Sequence, residues 1–172
     1  FVDAAPFSYA DFRAGFRALV ARKRPSGIYL RADRGVPYGD VVRVLAVIFP
    51  IYSSIFVRKD SPIQTIADLK GKRIPYGYTA QLTLNRVVDA ILATGGLTGK
   101  DIVPVLVPNV IRGADDFVEG KIDGGFFALG AAKVLEVHKS TGGIRYLPVS
   151  DDPAAVARMK KHMSYAYVTT VN

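Results

Sequence analysis

The feature that most constrains the fold is a regular alternation of two hydrophobic patterns from residue 73 onward. Short β-rich stretches at 73–76, 102–107, 121–127, 144–149 and 165–171 alternate with amphipathic stretches at 80–93, 111–118, 130–139 and 153–162. Glycines or prolines stand at most of the junctions, where a strand or a helix must end. This order predicts right-handed βαβ units, and therefore an α/β fold with a mainly parallel sheet and helices on both faces.

The first 60 residues are less regular and more basic than the rest. They predict a helix at 9–23, a loop rich in Gly, Pro and Arg at 24–40, and two strands at 41–49 and 52–58. They hold ten basic and five acidic side chains, against ten and eight in residues 61–150, so the net charge of +8 is concentrated at the N-terminal end. A basic surface can attract nucleic acid, anionic lipid or a small anionic ligand. Because no nucleic-acid motif is present, we expect no nucleic-acid partner.

The composition excludes several functional classes. No cysteine is present, which excludes disulfides, thiolate catalysis and cysteine-ligated metal sites. The longest apolar run, at 44–52, is interrupted by Pro50 and is too short to span a bilayer. The sequence begins at Phe1 without a signal peptide, and we expect one to have been removed from the mature protein.

The segment RIPYGYTAQLTLNRVV, at residues 73–88, predicts a strand, a glycine turn and a helix. Gly77 ends the strand, and Thr79 is placed to cap a helix that begins at residue 80. The first amides of such a helix carry partial positive charge, which suits a carboxylate or a phosphate. The alternative is that Thr79 only caps the helix. The candidate binding residues of this turn are Gly77, Tyr78, Thr79, Ala80 and Gln81.

A second candidate turn is GGFFALG, at residues 124–130, where a strand passes through a glycine into a helix. Small residues let the backbone approach a ligand closely, and a phenylalanine can wall a pocket. Because strand side chains alternate, we expect one phenylalanine of the pair to lie in the core. The candidate binding residues of this turn are Phe126, Phe127, Ala128 and Gly130.

Few other residues suggest a chemical role. Tyr52 and Ser53 interrupt an apolar stretch, and such groups are either hydrogen-bonded in the core or donors in a cleft. His138 and His162 lie on predicted exposed helix ends, without partners at metal-ligand spacing. No Ser-His-Asp order and no GxSxG elbow is present. We therefore expect no metal, no cofactor and no enzymatic activity.

Three longer motifs follow one another in residues 56–137. They read FVRKDSPIQTIADLKGKRIPYGY, ATGGLTGKDIVPVLVP and FVEGKIDGGFFALGAAKVLEV. Their order and spacing resemble the second lobe of type II periplasmic binding proteins. The resemblance is greatest to the TAXI group of TRAP-transporter solute receptors, and secondarily to the NMT1-like and sulfonate-binding receptors. It covers about residues 41–150.

The resemblance implies a two-lobed α/β receptor that closes on a small solute and delivers it to the membrane permease subunits of a TRAP transporter. Residues 1–58 would be a partial first lobe, residues 59–149 the second lobe, and residues 150–172 a return segment to the first lobe. Such a receptor is periplasmic. The resemblance implies no cofactor.

The resemblance also implies where the solute lies. Residues 76–83 match the main ligand loop, which adds Thr83 to the candidates, and residues 126–130 match a second cleft loop. We expect an anionic or zwitterionic solute that bears a carboxylate, held by the amides and hydroxyl of residues 77–81. Its apolar part would lie against Phe126, Phe127 and Tyr52.

Two alternatives keep the same fold. One is the effector-binding domain of a LysR-like transcription regulator, which predicts a DNA-binding helix-turn-helix upstream. The other is an enzyme such as an NMT1-like pyrimidine-precursor synthase or a phosphoribosyltransferase. An enzyme needs acid, base or phosphate-binding side chains in the cleft loops, where this sequence has Tyr, Thr, Gln and Phe.

Overall fold

The computed structural model describes residues 51–171, and the predicted helix 9–23, loop 24–40 and strand 41–49 lie outside them. The described strands are β1 (Ser53–Arg58), β2 (Arg73–Pro75), β3 (Val103–Val105), β4 (Gly125–Ala128) and β5 (Ile144–Tyr146). The described helices are α1 (Thr83–Thr94), α2 (Val110–Val118), α3 (Ala132–Ser140) and α4 (Pro153–His162), and a 3-10 turn covers Ala67–Leu69. The alternation predicted from the sequence is confirmed from β2 to α4.

β1 lies between β4 and β5 and runs antiparallel to both. Ser53 pairs with Ala128 near one end of β1, and Arg58 pairs with Ile144 at the other. β2 and β3 form a parallel pair. The α/β fold class is confirmed, but the pairing expected to be mainly parallel is mixed among residues 51–171. The reason is β1, which precedes the alternating region in the sequence and fills the space between two strands that run the other way.

Asp123 joins the two groups of strands. Its amide donates to the carbonyl oxygen of Arg73 at 2.8 Å, and its carboxylate accepts from the amide of Arg73 at 2.8 Å. The guanidinium of Arg73 donates to the same carboxylate at 2.6 Å, which holds the pKa of Asp123 below its ordinary value. The DLKGKR and GKID motifs therefore meet at a structural ion pair.

Helices cover both faces of the strands, as predicted. Ile55 and Val57 of β1 lie in one hydrophobic core with the buried face of α1. Phe56, between them in the sequence, lies in a second core with α2 and α3. There its ring meets Phe117 edge-on, with centroids 5.0 Å apart. Because strand side chains alternate, one strand supplies two cores.

α4 packs against α1. Arg158 of α4 donates to the carbonyl oxygens of Ala93 and Thr94, at 2.8 and 3.1 Å, where α1 ends. Both carbonyls belong to the last turn of α1, which has no further helical turn to supply the usual i+4 donors. The lobe boundaries expected at residues 58/59 and 149/150 stay a prediction. Within residues 51–171, β1 packs with β4 and β5, and α4 packs with α1.

The strand predicted at 165–171 is not formed. Within residues 51–171 this segment is not a strand and joins neither group of paired strands. Their β-rich composition favours an extended chain, but a strand is stabilised by the neighbour with which it pairs.

Candidate functional site

The start of β1 and the end of β4 are two predicted binding segments that the structure brings together. Ser53 pairs with Ala128, and the amide of Leu129 donates to the carbonyl oxygen of Tyr52 at 2.8 Å. Because the strands are antiparallel, the amino end of β1 lies beside the carboxyl end of β4. Gly130 follows with a φ of +78°, which turns the chain away from the strand.

The turn after β2 is tied to β4 through the core. The ring of Tyr78 meets Phe126 edge-on, with centroids 6.3 Å apart. Phe127 lies in the opposite core, with α2 and α3. The core role expected of one phenylalanine applies to both, and the solute contacts proposed for them stay predictions. All three candidate segments therefore gather where β2 and β4 end, which is where α/β proteins bind ligands.

Asn85 of α1 holds the first two amides of the turn after β2. Its side-chain oxygen accepts from the amide of Gly77 at 3.1 Å and from the amide of Tyr78 at 2.9 Å. Gly77 has a φ of +76°, and a Cβ there would lie 2.6 Å from Cδ2 of Leu106. Glycine is favoured at this position for its backbone conformation, whereas the exposed side chain of Leu106 could move aside from a Cβ.

The next two amides bind the connection between β3 and α2. The amide of Thr79 donates to the carbonyl oxygen of Val107 at 3.2 Å, and that of Ala80 to Pro108 at 3.0 Å. The amides of residues 77–80 are therefore all used inside the protein. Of the amides predicted to hold the charged group, those of residues 77–81, only the amide of Gln81 is left without an acceptor among the described residues. The solute contact predicted for this turn stays a prediction.

The side chain of Gln81 completes this attachment. Its Oε1 accepts from the amide of Val110, the first residue of α2, at 3.0 Å. Just before α2, the side chain of Asn109 caps the helix by accepting from the amide of Arg112 at 2.9 Å. The β3–α2 connection is thus part of the candidate site, and sequence reasoning missed it. The predicted parallel pairing of β2 with β3 could have revealed it, because the loops that follow two paired parallel strands lie side by side.

The N-terminus of α1 has no side-chain cap. The helix begins at Thr83 rather than at residue 80, and the capping position is Leu82, in helical conformation with φ −54° and ψ −32°. Thr79 is not the cap. Its amide bonds the carbonyl oxygen of Val107, and the helix begins only four residues later. The amides of Gln81, Leu82 and Thr83 have no acceptor among the described residues.

The N-terminus of α3 is also bare. Its capping position is Ala131, which makes no side-chain bond, and its first turn holds no acidic residue. α2 and α4 differ, because Asn109 and Asp152 accept hydrogen bonds from their first amides. The two uncapped helices are those that follow the two predicted ligand loops.

The exposed side chains around the start of α1 are uncharged, except for that of Arg86. Thr79, Gln81 and Thr83 are exposed, and the two threonine hydroxyls make no hydrogen bond to another described residue. Arg86 is exposed one turn further along α1, with no ion pair in residues 51–171. The first turn of α1 has no acidic residue. This end of the helix therefore combines free donors with uncompensated positive charge.

Two large apolar side chains flank these donors. Leu82 is 71% exposed and Leu106 is 75% exposed. Leu106 lies over Gly77, and Leu82 follows directly on Gln81. The candidate site thus offers hydrogen-bond donors with apolar surface beside them.

The hydroxyl of Tyr78 is buried. The side chain is fully inaccessible to solvent, and its oxygen makes no hydrogen bond to any residue between 51 and 171. Burial raises the pKa of Tyr78, so the phenol is neutral in the physiological range. A buried hydroxyl without a partner is unfavourable, and Tyr78 differs in this from the exposed polar groups of residues 79–83, which water can reach.

The remaining polar groups of the described residues do not form a metal site. Between residues 51 and 171 no three His, Cys, Asp or Glu side chains lie close enough together to bind a metal ion. His138 accepts from the amide of Ile144 at 3.2 Å, and His162 ends α4. Within the same residues no helix is both long enough and apolar enough to cross a membrane.

Family comparison extends over most of the chain. Residues 17–168 match the family described as NMT1/THI5 like. The chain belongs to the NMT1/THI5-like family. This agrees with the broad class inferred from the three motifs, in which NMT1-like proteins were the secondary resemblance.

Individual relatives match a shorter part of this NMT1/THI5-like chain. It is 33% identical over 98 residues to a putative thiamine biosynthesis protein of Haemophilus influenzae, covering 54% of the chain and 30% of the relative. The chain is also similar to a solved structure of the periplasmic aliphatic sulphonate binding protein SsuA from Escherichia coli, with 27% sequence identity and a TM-score of 0.44. The match covers 56% of this chain and 29% of that protein. The alkanesulfonate-binding SsuA of Xanthomonas axonopodis pv. citri, bound to MOPS, is also 27% identical, with a TM-score of 0.45 and coverage of 58% and 32%. The chain thus spans less than a third of each of these proteins.

Proposed function

We propose that the chain is part of an extracytoplasmic solute-binding protein, which captures a small acid-bearing solute between two lobes and presents it to a membrane permease. The observation that carries the proposal is the gathering of three candidate segments at one edge of the strands, where both following helices begin uncapped. An uncapped helix start is favourable for an anion.

The acid group would bind at the start of α1. The amides of Gln81, Leu82 and Thr83 are donors without a protein acceptor among the described residues. The hydroxyl of Thr79 and the guanidinium of Arg86 would add a neutral and a charged donor. A carboxylate or sulfonate has enough acceptor oxygens to use several of them at once.

The apolar part of the solute would lie on Leu106 and Leu82. Both are exposed beside the donors, whereas Phe126 and Phe127 are buried in separate cores. Burial of exposed apolar surface by a bound solute is favourable in proportion to its area. We therefore assign the apolar contact to the leucines first, and keep Tyr52 as a contact from the β1 side.

The resemblance of the three motifs to TAXI receptors favours a periplasmic receptor that binds a carboxylate and delivers it to a TRAP-type permease. A sulfonate is the second solute class, because its three oxygens suit the same donors. A thermal-shift screen of the full-length protein against glutamate, succinate, ethanesulfonate and MOPS tests the proposal. We expect at least one acid to raise the melting temperature, and a screen in which none does would contradict it.

A matched pair of variants locates the binding. Arg86→Gln removes the cation beside the uncapped helix start, whereas Lys160→Gln removes one on α4. We expect Arg86→Gln to weaken binding of the stabilising acid about tenfold, equivalent to about 1.4 kcal/mol, and Lys160→Gln to leave it unchanged. Equal effects of the two substitutions would mean that only net charge matters.

A second candidate function is a step in thiamine-precursor synthesis. It is favoured by the name of the Haemophilus influenzae relative. Incubation of the full-length protein with a small-molecule extract of cells, followed by mass spectrometry, separates the two. A receptor returns every bound compound unchanged, and a converted compound would favour the enzyme.

A further inference from the structure

Asn85 makes a pair of hydrogen bonds that differs from an ordinary helix cap. A capping side chain accepts from amides two or three residues further along the helix. The oxygen of Asn85 instead accepts from Gly77 and Tyr78, which lie eight and seven residues earlier in the chain. Asn85 is the third residue of α1 and is half-buried. It therefore bonds the loop to the helix that follows rather than the helix to itself.

The two bonds act at the point where the loop leaves the strand. Gly77 takes a φ of +76°, and the ring of Tyr78 passes into the core against Phe126. Without an acceptor, both half-buried amides would have to find water or another partner. The oxygen of Asn85 thus keeps the turn at Gly77 in register with the first turn of α1.

The other end of the loop is held separately. The amides of Thr79 and Ala80 and the side chain of Gln81 bond the β3–α2 connection. Loss of the Asn85 bonds would leave this second attachment intact. The free donors of α1 would then move relative to the end of β4, which forms the opposite side of the candidate site.

We propose that Asn85 is a positioning residue of the solute site, which fixes residues 77–83 without touching the solute. The inference rests on the proposed function for its effect on solute affinity. Its geometric part, that Asn85 fixes the loop, does not.

Three variants of the full-length protein test the inference. Asn85→Ala removes the acceptor, and Asn85→Asp keeps an oxygen that can accept from both amides. Asp152→Ala is the matched control, because one oxygen of Asp152 also accepts from two amides, those of Ala154 and Ala155, in α4. We expect the exchange of the Gly77 and Tyr78 amides, followed by NMR, to accelerate at least tenfold in Asn85→Ala only.

The second readout is affinity for glutamate and ethanesulfonate. We expect Asn85→Ala to weaken binding of the acid that stabilises the parent protein about tenfold, and Asp152→Ala to leave its Kd unchanged. A general loss of stability would affect both variants alike.

The outcomes separate the inference from the proposed function. Unchanged exchange at Gly77 and Tyr78 in Asn85→Ala would overturn the inference, whatever binds. Faster exchange with unchanged Kd would overturn the positioning role while leaving solute binding intact. A parent protein that binds neither acid would overturn the proposed function, and the exchange data would still decide whether Asn85 holds the loop.

Discussion

The helices of the described region divide into two pairs by how they begin. α2 and α4 start from extended residues, Asn109 and Asp152, whose side chains accept from their first amides. α1 and α3 start at Leu82 and Ala131, which have no side chain that can accept. Each missing cap gives up about 1 kcal/mol of stability. The uncapped pair follows the two predicted ligand loops, so stability is reduced where the proposed binding would use free donors.

The two uncapped helices also differ from each other. Ala131 is extended, with φ −68° and ψ 141°, so a polar side chain there has the conformation of a cap. Leu82 is already helical, and a side chain in that conformation is poorly placed to reach the following amides. The start of α3 lacks only a side chain that can cap the helix. The start of α1 lacks both such a side chain and the extended backbone conformation of a capping residue.

The largest effect is expected where a cap is removed. Asp152→Ala deletes the acceptor of two amides in α4 and should lower the free energy of unfolding by about 1.5 kcal/mol. Leu82→Ala, at the equivalent position of α1, removes no cap and should change it by less than about 0.5 kcal/mol. Urea denaturation measures both. Similar losses in the two variants would break the distinction between capped and uncapped helices.

A smaller gain is expected where a cap can be added. Ala131→Asp should stabilise the protein by about 1 kcal/mol, because residue 131 is extended and the first turn of α3 has no acid. The same carboxylate would repel an acid-bearing solute from this helix start. Denaturation should therefore show a gain while calorimetry with glutamate or ethanesulfonate shows weaker binding. A gain without any loss of affinity would remove α3 from the site.

The smallest stability effect is expected at α1. Leu82→Asp should gain only about 0.3 kcal/mol, from charge at the helix start rather than from a capping bond. Its effect on acid binding should exceed that of Ala131→Asp, because residue 82 lies among the free donors. Leu82→Asn, which adds a polar side chain of similar size without charge, is the control. If both variants bind acids as the parent does, the start of α1 is not the anion site.

The sequence predicted the arrangement of elements better than the contacts of the site. α4 was predicted at residues 153–162 and is found there, because Pro153 marks its first turn. The gathering of the loops followed from the rule that strands of an α/β sheet end at the ligand edge. Both are properties of pattern and chain order.

The start of α1 could not be predicted in the same way. Thr79 has the residue type of a cap, yet its amide bonds Val107, and the helix begins four residues later. The occupied amides of residues 77–80 depend on acceptors from α1 and from the β3–α2 connection. Likewise, both phenylalanines of β4 are buried because helices cover both faces, which a single strand does not reveal.

The most direct test of the account is an NMR titration of the ¹⁵N-labelled full-length protein with glutamate and with ethanesulfonate. If the start of α1 holds the acid group, the amides of Gln81, Leu82 and Thr83 should shift most, while those of Gly77 and Tyr78, already bonded to Asn85, shift little. Saturable binding that leaves residues 81–83 unaffected, or no binding of either acid, would contradict it.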